Sequence, residues 1–456
     1  MLKRRSPPQS SFEFVSLEEL VPKDHLLRKI DRLIDFSFIH DRVAGLYCPD
    51  NGRPPLDPTL MFKALFIGYL FGVRSERQLV REIEVNLAYR WFLGLSLSDK
   101  VFDASTLSQN RRRRFTDASV AQDIFDAIVE QAIRHGLVEG TTLYTDSTHL
   151  KANANKNKFD LAMAAKSRAA YWDALDAAIN EDRADHGKKP MKPAAREPAV
   201  KETKISRTDP EAGYMVREGK PKGFFYLDHR TVDGKLGLIT DTYATPANVH
   251  DSMPYLERLD RQRERFGLDV RTVGLDAGYA TAAIAKGLED RAIEGVTGYR
   301  APTPPKPGMM RKSKFVYERE ADAYRCPQGQ LLAYATTDRT GYRHYKSDPA
   351  VCRECPLLAS CTSNAKAERT LTRHVWQDAR ERADTRRLTY WGKMIYRRRK
   401  ETVERSFADA KQLHGHRYAR FRSLIKVQCQ CLLAAAAQNM KKIALTLTQN
   451  QAPKPA

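Results

Sequence analysis

The sequence predicts a mixed α/β protein: one mixed sheet flanked by helices, an all-α region over residues 1–137, and two insertions within the sheet domain. Three observations carry this prediction. Apolar residues recur at helical spacing up to Gly136. From Thr141 the chain reads strand, strand pair, helix, strand, helix, strand. Residues 156–220 and 300–375 interrupt that order with charged and proline-bearing composition.

Within the first region, TLMFKALFIGYLFG (Thr59–Gly72) is the most apolar run. It carries Lys63 and is too short to span a bilayer, so it reads as a buried helix. Ser75 and Gln78 form a capping-box pattern ahead of one helix through ERQLVREIEVNLAYRWFLGL. Four consecutive arginines, Arg111, Arg112, Arg113 and Arg114, read either as a solvated face or as a phosphate-contacting one. SVAQDIFDAIVEQAIRHG is a helix stopped at Gly136.

The sheet domain is expected over residues 138–299 and 376–447. TTLYTDSTHL is its first strand. GFFYLDHRTVDGKLGLITDTYATP reads as two strands around an Asp233-Gly234 turn. ANVHDSMPYLERLDRQRERFG is a helix stopped at Gly267; His250 within it stands either near the site or in a capping or packing role. DVRTVGLDAGYA is a strand, TAAIAKGLEDRAIEG a helix and VTGY a short strand. The insertion 156–220 begins helically with FDLAMAAKSRAAYWDALDAAINED and passes into the linker-like HGKKPMKPAAREPAVKETK. The insertion 300–375 opens on APTPPKPG, and residues 448–456 read as a disordered tail.

The chain has 456 residues, with 77 basic and 56 acidic side chains and a net charge of +21. Such an excess points to a polyanionic partner. A membrane partner would want a basic amphipathic helix or an anchor, and neither stands out. The amino terminus lacks the apolar core of a signal peptide. Of seven cysteines four cluster and three scatter, a usage that suits a reducing cytoplasm. Cys48, Cys429 and Cys431 read as ordinary buried thiols. Cys326, Cys352, Cys355 and Cys361 have the spacing C-x25-C-x2-C-x5-C. Four thiolates so placed would close a tetrahedral Zn²⁺ site; a four-iron cluster or unmetallated thiols also fit the spacing.

Three carboxylates carry the chemistry. Asp146 and Asp276 end strand-like runs, where open sheets gather functional groups. Glu404 lies in a stretch, Gly392–Arg422, with ten Lys/Arg against three Asp/Glu. There Val403, Phe407 and Ala410 follow i, i+4, i+7 and would seat a helix on the sheet, with Lys400, Glu404 and Lys411 on the adjoining stripe. Carboxylates converging in a basic groove need cations, and hard divalent ions such as Mg²⁺ or Mn²⁺ prefer such oxygens. Two ions can activate an attacking oxygen and stabilise the leaving oxygen of a phosphodiester. No phosphate-loop glycine pattern is present.

In their order and surroundings, TDSTHLKANANK, GLDAGY and ETVERSFADAKQLHGHRYARFR resemble the DDE transposases of bacterial insertion sequences. The resemblance implies an RNase H-like catalytic core with a mixed five-stranded sheet, in the order β-β-β-α-β-α-β-α, behind a helical DNA-binding and dimerisation domain. It implies that Asp146, Asp276 and Glu404 are the catalytic acids and hold two Mg²⁺ or Mn²⁺ ions. It also implies DNA-contacting side chains: a tyrosine seven residues before the glutamate, an arginine four before and a lysine seven after. Lys411 fits the last; the others fall on Arg397 beside Tyr396 and on Lys400 beside Arg399. The partners implied are terminal inverted repeats, target DNA and a second copy of the chain, in the bacterial cytoplasm at the nucleoid. An inactive DNA-binding regulator and a plain nuclease on the same core are the rival readings.

Overall fold

The computed structural model of the protein describes residues 14–48, 55–115, 117–165, 169–192, 200–216, 222–302 and 306–451. The fold class is the expected one, a helical amino-terminal region followed by a mixed sheet flanked by helices. The strands are β1 (Thr142–Lys151), β2 (Phe159–Ala165), β3 (Val200–Ser206), β4 (Gly213–Met215), β5 (Gly223–Asp233), β6 (Ile239–Pro246), β7 (Thr272–Leu275) and β8 (Glu294–Thr297). The main sheet runs β4-β5-β1-β7-β8, with β6 also paired to β5. β5 lies antiparallel to β1 and β6, while β1, β7 and β8 are mutually parallel.

Six strands form this sheet where five were expected. The added one is short. β5 begins before its pairing with β6 does, and Gly213–Met215 covers the exposed start, Gly223–Phe225. The link from β5 to β6 is also wider than a two-residue turn, because residues 234–238 separate the strands. Asp233 holds that corner: its carboxylate accepts from the Lys235 N–H and from the Gly140 N–H just before β1.

One hydrophobic core joins the amino-terminal helices to the sheet. Its central pillar is the helix Leu424–Gln451, which packs on the helices Ser119–Arg134, Leu26–Leu33 and Pro58–Leu70 and on β6. Ala434, Ala435, Ala436 and Ala437 are all fully buried. Four small side chains in succession let neighbours approach from both sides of the helix. Asn439 fastens it to the sheet by bonding both the N–H and the carbonyl of Ile239. The helix continues through residues 448–451, where disorder was expected, because Leu447 and Thr448 still pack or bond within it. Residues 452–456 lie outside the described residues, as does 193–199 of the expected linker.

Two further expectations change. The single helix after Ser75 is two, Glu76–Val85 and Leu87–Leu93. Asn86 breaks it, adopting extended backbone and capping the second helix through the Tyr89 N–H. In the first insertion, Phe159–Ala165 is not helical but pairs with β3, and the helix begins at Ala169. The pairing partner lies far along the chain, so local periodicity did not reveal it.

The second insertion folds as a five-stranded antiparallel sheet of β9 (Val316–Glu318), β10 (Ala323–Arg325), β11 (Leu331–Thr337), β12 (Tyr342–Lys346) and β13 (Thr370–His374). The helix Ala169–Asp185 docks on it. Asp182 accepts from Arg343 at 2.5 Å, and His186 stacks on Tyr334 with ring centroids 3.6 Å apart. The helix of the first insertion thus docks on the sheet of the second.

Beneath the main sheet, Asp228 and Arg230 are fully buried and paired at 2.8 Å. His416 and Thr242 also bond the Asp228 carboxylate, and Arg230 reaches Ser406 and Gln438. Burial works against the Asp228 charge, but Arg230 and His416 hold the carboxyl well below its usual range. Asp228→Ala should therefore cost about 3–5 kcal/mol, since it strands a buried guanidinium. Chemical denaturation checks this, and a loss typical of a surface change would contradict it.

Candidate active site

Asp146 lies on β1 at the place where β7 stops. The parallel register pairs Thr145 with Leu275, so Asp146 and Asp276 are the next residues on their two chains and come side by side. Glu404 is in the first turn of the helix Val403–Leu413, whose Val403, Phe407 and Ala410 are buried as the spacing predicts. All three carboxylates meet at one group. The Arg399 guanidinium lies 2.7 Å from Asp146, 3.5 Å from Asp276 and 3.6 Å from Glu404. Its side chain is 4% exposed, against 48% for Asp276 and 44% for Glu404, so the acids open outward while the arginine backs them.

Burial raises the Asp146 carboxyl to about 6; Arg399 and the Ser147 N–H pull it down, while Asp276 and Asp251 push it up. Asp251 was not singled out by sequence reading, though it stands beside His250 in NVHDS. It accepts a hydrogen bond from the Ser147 hydroxyl at 2.8 Å. His250 bonds the Ser252 hydroxyl at 2.8 Å, a local capping arrangement.

Arg399 and Tyr396, rather than Lys400 and Arg397, occupy the site. The Tyr396 hydroxyl is 3.3 Å from the guanidinium, and Lys400 and Arg397 are exposed. A 3-10 turn over Arg398–Lys400 takes up one extra residue before the helix, which keeps the Tyr-x2-Arg spacing but shifts it relative to Glu404. Gly298 makes room for this: a Cβ there would stand 2.7 Å from the Tyr396 hydroxyl and from the Ala277 nitrogen. Lys411 lies half-buried two turns after Glu404.

The arginine run divides. Arg111 pairs with Glu76 and sits 4.0 Å over the Phe421 ring, and Arg114 bonds Asn110 and covers Tyr47. Arg112 and Arg113 are exposed.

The four clustered cysteines are half-buried, and Cys326 and Cys361 pack against the core of the accessory sheet. Burial pushes the Cys361 thiol up, Arg369 lowers it, and Cys352, Cys326 and Cys355 raise it further, so all four share one neighbourhood. Among the described residues, the group with three ligand atoms within 4.8 Å of one another is a different one, Asp228, His416 and Cys431. Arg230 already neutralises that carboxylate, so a cation there would face a buried guanidinium; the group is a structural network. Of the scattered cysteines Cys431 is buried and Cys429 half-buried, but Cys48 is exposed, next to residues 49–54 outside the described set. No helix among the described residues is long and apolar enough to cross a membrane.

In the metal-free protein Asp146 should titrate at about 6, and Arg399→Gln should move that titration upward by removing its main counter-charge. Carboxyl-carbon NMR reads this, and an unchanged or lower value would contradict the arrangement.

Residues 15–113 match the family described as "Transposase domain (DUF772)", and residues 325–444 match "Transposase DDE domain". The second match contains Glu404, Arg399 and Lys411; Asp146 and Asp276 lie outside both. None of the curated proteins matches the chain. Among solved structures, a cryo-EM structure of the piggyBac transposase synaptic complex with hairpin DNA aligns over 95% of this chain and 80% of that one. Its TM-score is 0.31 and its identity 10%, a likeness that bears no weight here.

Proposed function

We propose that the chain, which matches transposase family models over residues 15–113 and 325–444, is a DDE transposase that cuts DNA at the ends of an insertion sequence and joins the freed 3′-OH to target DNA. The observation that supports this reading most is the meeting of Asp146, Asp276 and Glu404 around one positive charge. The Arg399 guanidinium stands in for a cation there, and three oxygen-donating side chains around it are a donor set that hard divalent ions take.

Asp146, Asp276 and Glu404 would hold two Mg²⁺ or Mn²⁺ ions. When bound, such ions supply the Lewis acidity that activates an attacking water or hydroxyl and stabilises the leaving oxygen. The chain's own residues do the rest. Asp146 and Asp276, fixed on adjacent strand ends, set the spacing of the acidic centre. Glu404 closes it from the helix. Arg399 backs the carboxylates from the buried side, and Tyr396, Lys400 and Lys411 would line the path of the scissile strand's backbone. The amino-terminal helices, with Arg112 and Arg113 exposed, contact the terminal inverted repeats. A homodimer pairs two element ends, in the cytoplasm at the nucleoid. By this reading residues 1–137 form the end-binding domain, 138–299 and 376–447 the catalytic domain, and 300–375 an accessory module.

Asp276→Asn should abolish cleavage and joining of labelled element ends in Mg²⁺ while leaving end binding intact. Equal joining by the variant would refute the assignment, and cutting without joining of pre-cut ends would mark a nuclease. Cys326, Cys352, Cys355 and Cys361 would hold one structural Zn²⁺, local closure accompanying binding. Metal analysis of purified protein should find about one zinc per chain, lost on Cys352→Ser with Cys355→Ser; iron in its place, or no metal, would overturn that part.

A further inference from the structure

The turn that leads into the helix Tyr255–Phe266 carries an acid, Asp251, that the three-carboxylate reading does not use. Asp251 lies close enough to the centre that its charge pushes the Asp146 carboxyl up. One of its oxygens accepts from the Ser147 hydroxyl, on the residue next to Asp146. The other lies 3.5 Å from where a Cβ would stand at Gly278, two residues past Asp276. Asp251 therefore touches the chain beside both strand-end acids. A second observation stands beside it. Tyr279 is 1% exposed, and its hydroxyl has no hydrogen-bond partner among the described residues. That hydroxyl lies in the fields of Asp251 and Asp146 together. A buried donor left unmade costs free energy, so such atoms mark places where a ligand or its bound water completes the site.

We propose that Asp251 is a fourth carboxylate of the divalent-cation site, its charge acting with those of Asp146, Asp276 and Glu404 to hold the ions. The inference rests on the reading of those three acids given above. It assigns Asp251 a charge role rather than the packing role of orienting Ser147. The two are separable, because asparagine keeps an oxygen for the Ser147 hydroxyl and loses only the charge.

The test is Mn²⁺ binding to the full-length protein without DNA, read by electron paramagnetic resonance. Asp251→Asn should weaken binding by about tenfold or more, as loss of a supporting metal-site group does. Asp251→Glu should bind more tightly than Asp251→Asn, and Ser147→Ala should stay near wild type. Wild-type affinity in Asp251→Asn would overturn the proposal, as would equal weakness in Asp251→Glu and Asp251→Asn. Asp276→Asn separates the two levels. If it binds Mn²⁺ as the wild type does, the three-acid reading itself fails. If it is impaired while Asp251→Asn is not, only the fourth carboxylate falls.

Discussion

Three carboxylates drawn from positions 146, 276 and 404 repel one another, and in this protein a single buried guanidinium gathers them. Much of the surrounding architecture serves to put Arg399 there. The register of β1 and β7 brings two acids side by side. The helix Val403–Leu413, seated by Val403, Phe407 and Ala410, brings the third. A 3-10 turn then swings Arg399 inward and leaves Lys400 in solvent. The low dielectric around Arg399 strengthens each attraction, and it also lifts the Asp146 carboxyl toward neutrality. The site is thereby held assembled around its counter-charge.

The rest of the chain divides between support and addition. Support comes from the common core and from the Asp228–Arg230–His416 network, which ties the segment after the Glu404 helix to the underside of β5. Addition comes from the two insertions. They leave the sheet at separate points, yet they pack on each other through Asp182, Arg343, His186 and Tyr334. Neither disturbs the order of the strands that carry the acids.

What could be read in advance was what is local or strongly spaced. Asp146 and Asp276 declare themselves as acids at the ends of apolar runs, and the Glu404 helix by its i, i+4, i+7 seat. What stayed hidden depends on distant partners. β2 needs β3, some 40 residues on, to be a strand. β4 exists because β5 outruns β6. Asp251 looked like part of a helix start, and only folding brings it against Ser147. The choice of Arg399 over Lys400 was also out of reach, since a one-residue shift ahead of a helix is settled by backbone geometry. Within the arginine run, composition could not separate Arg111 and Arg114, spent on Glu76, Phe421, Asn110 and Tyr47, from Arg112 and Arg113.

The pillar of the shared core is also the last helix among the described residues. Leu424–Gln451 supplies the surface on which both the amino-terminal helices and β6 close. During synthesis the helices and strands before it therefore keep apolar faces open until this segment has emerged. A product that stops before Leu424 would lack the piece that seals the rest, and it would meet chaperones and proteases. Copies of the chain cut short before Leu424 would thus accumulate little stable protein.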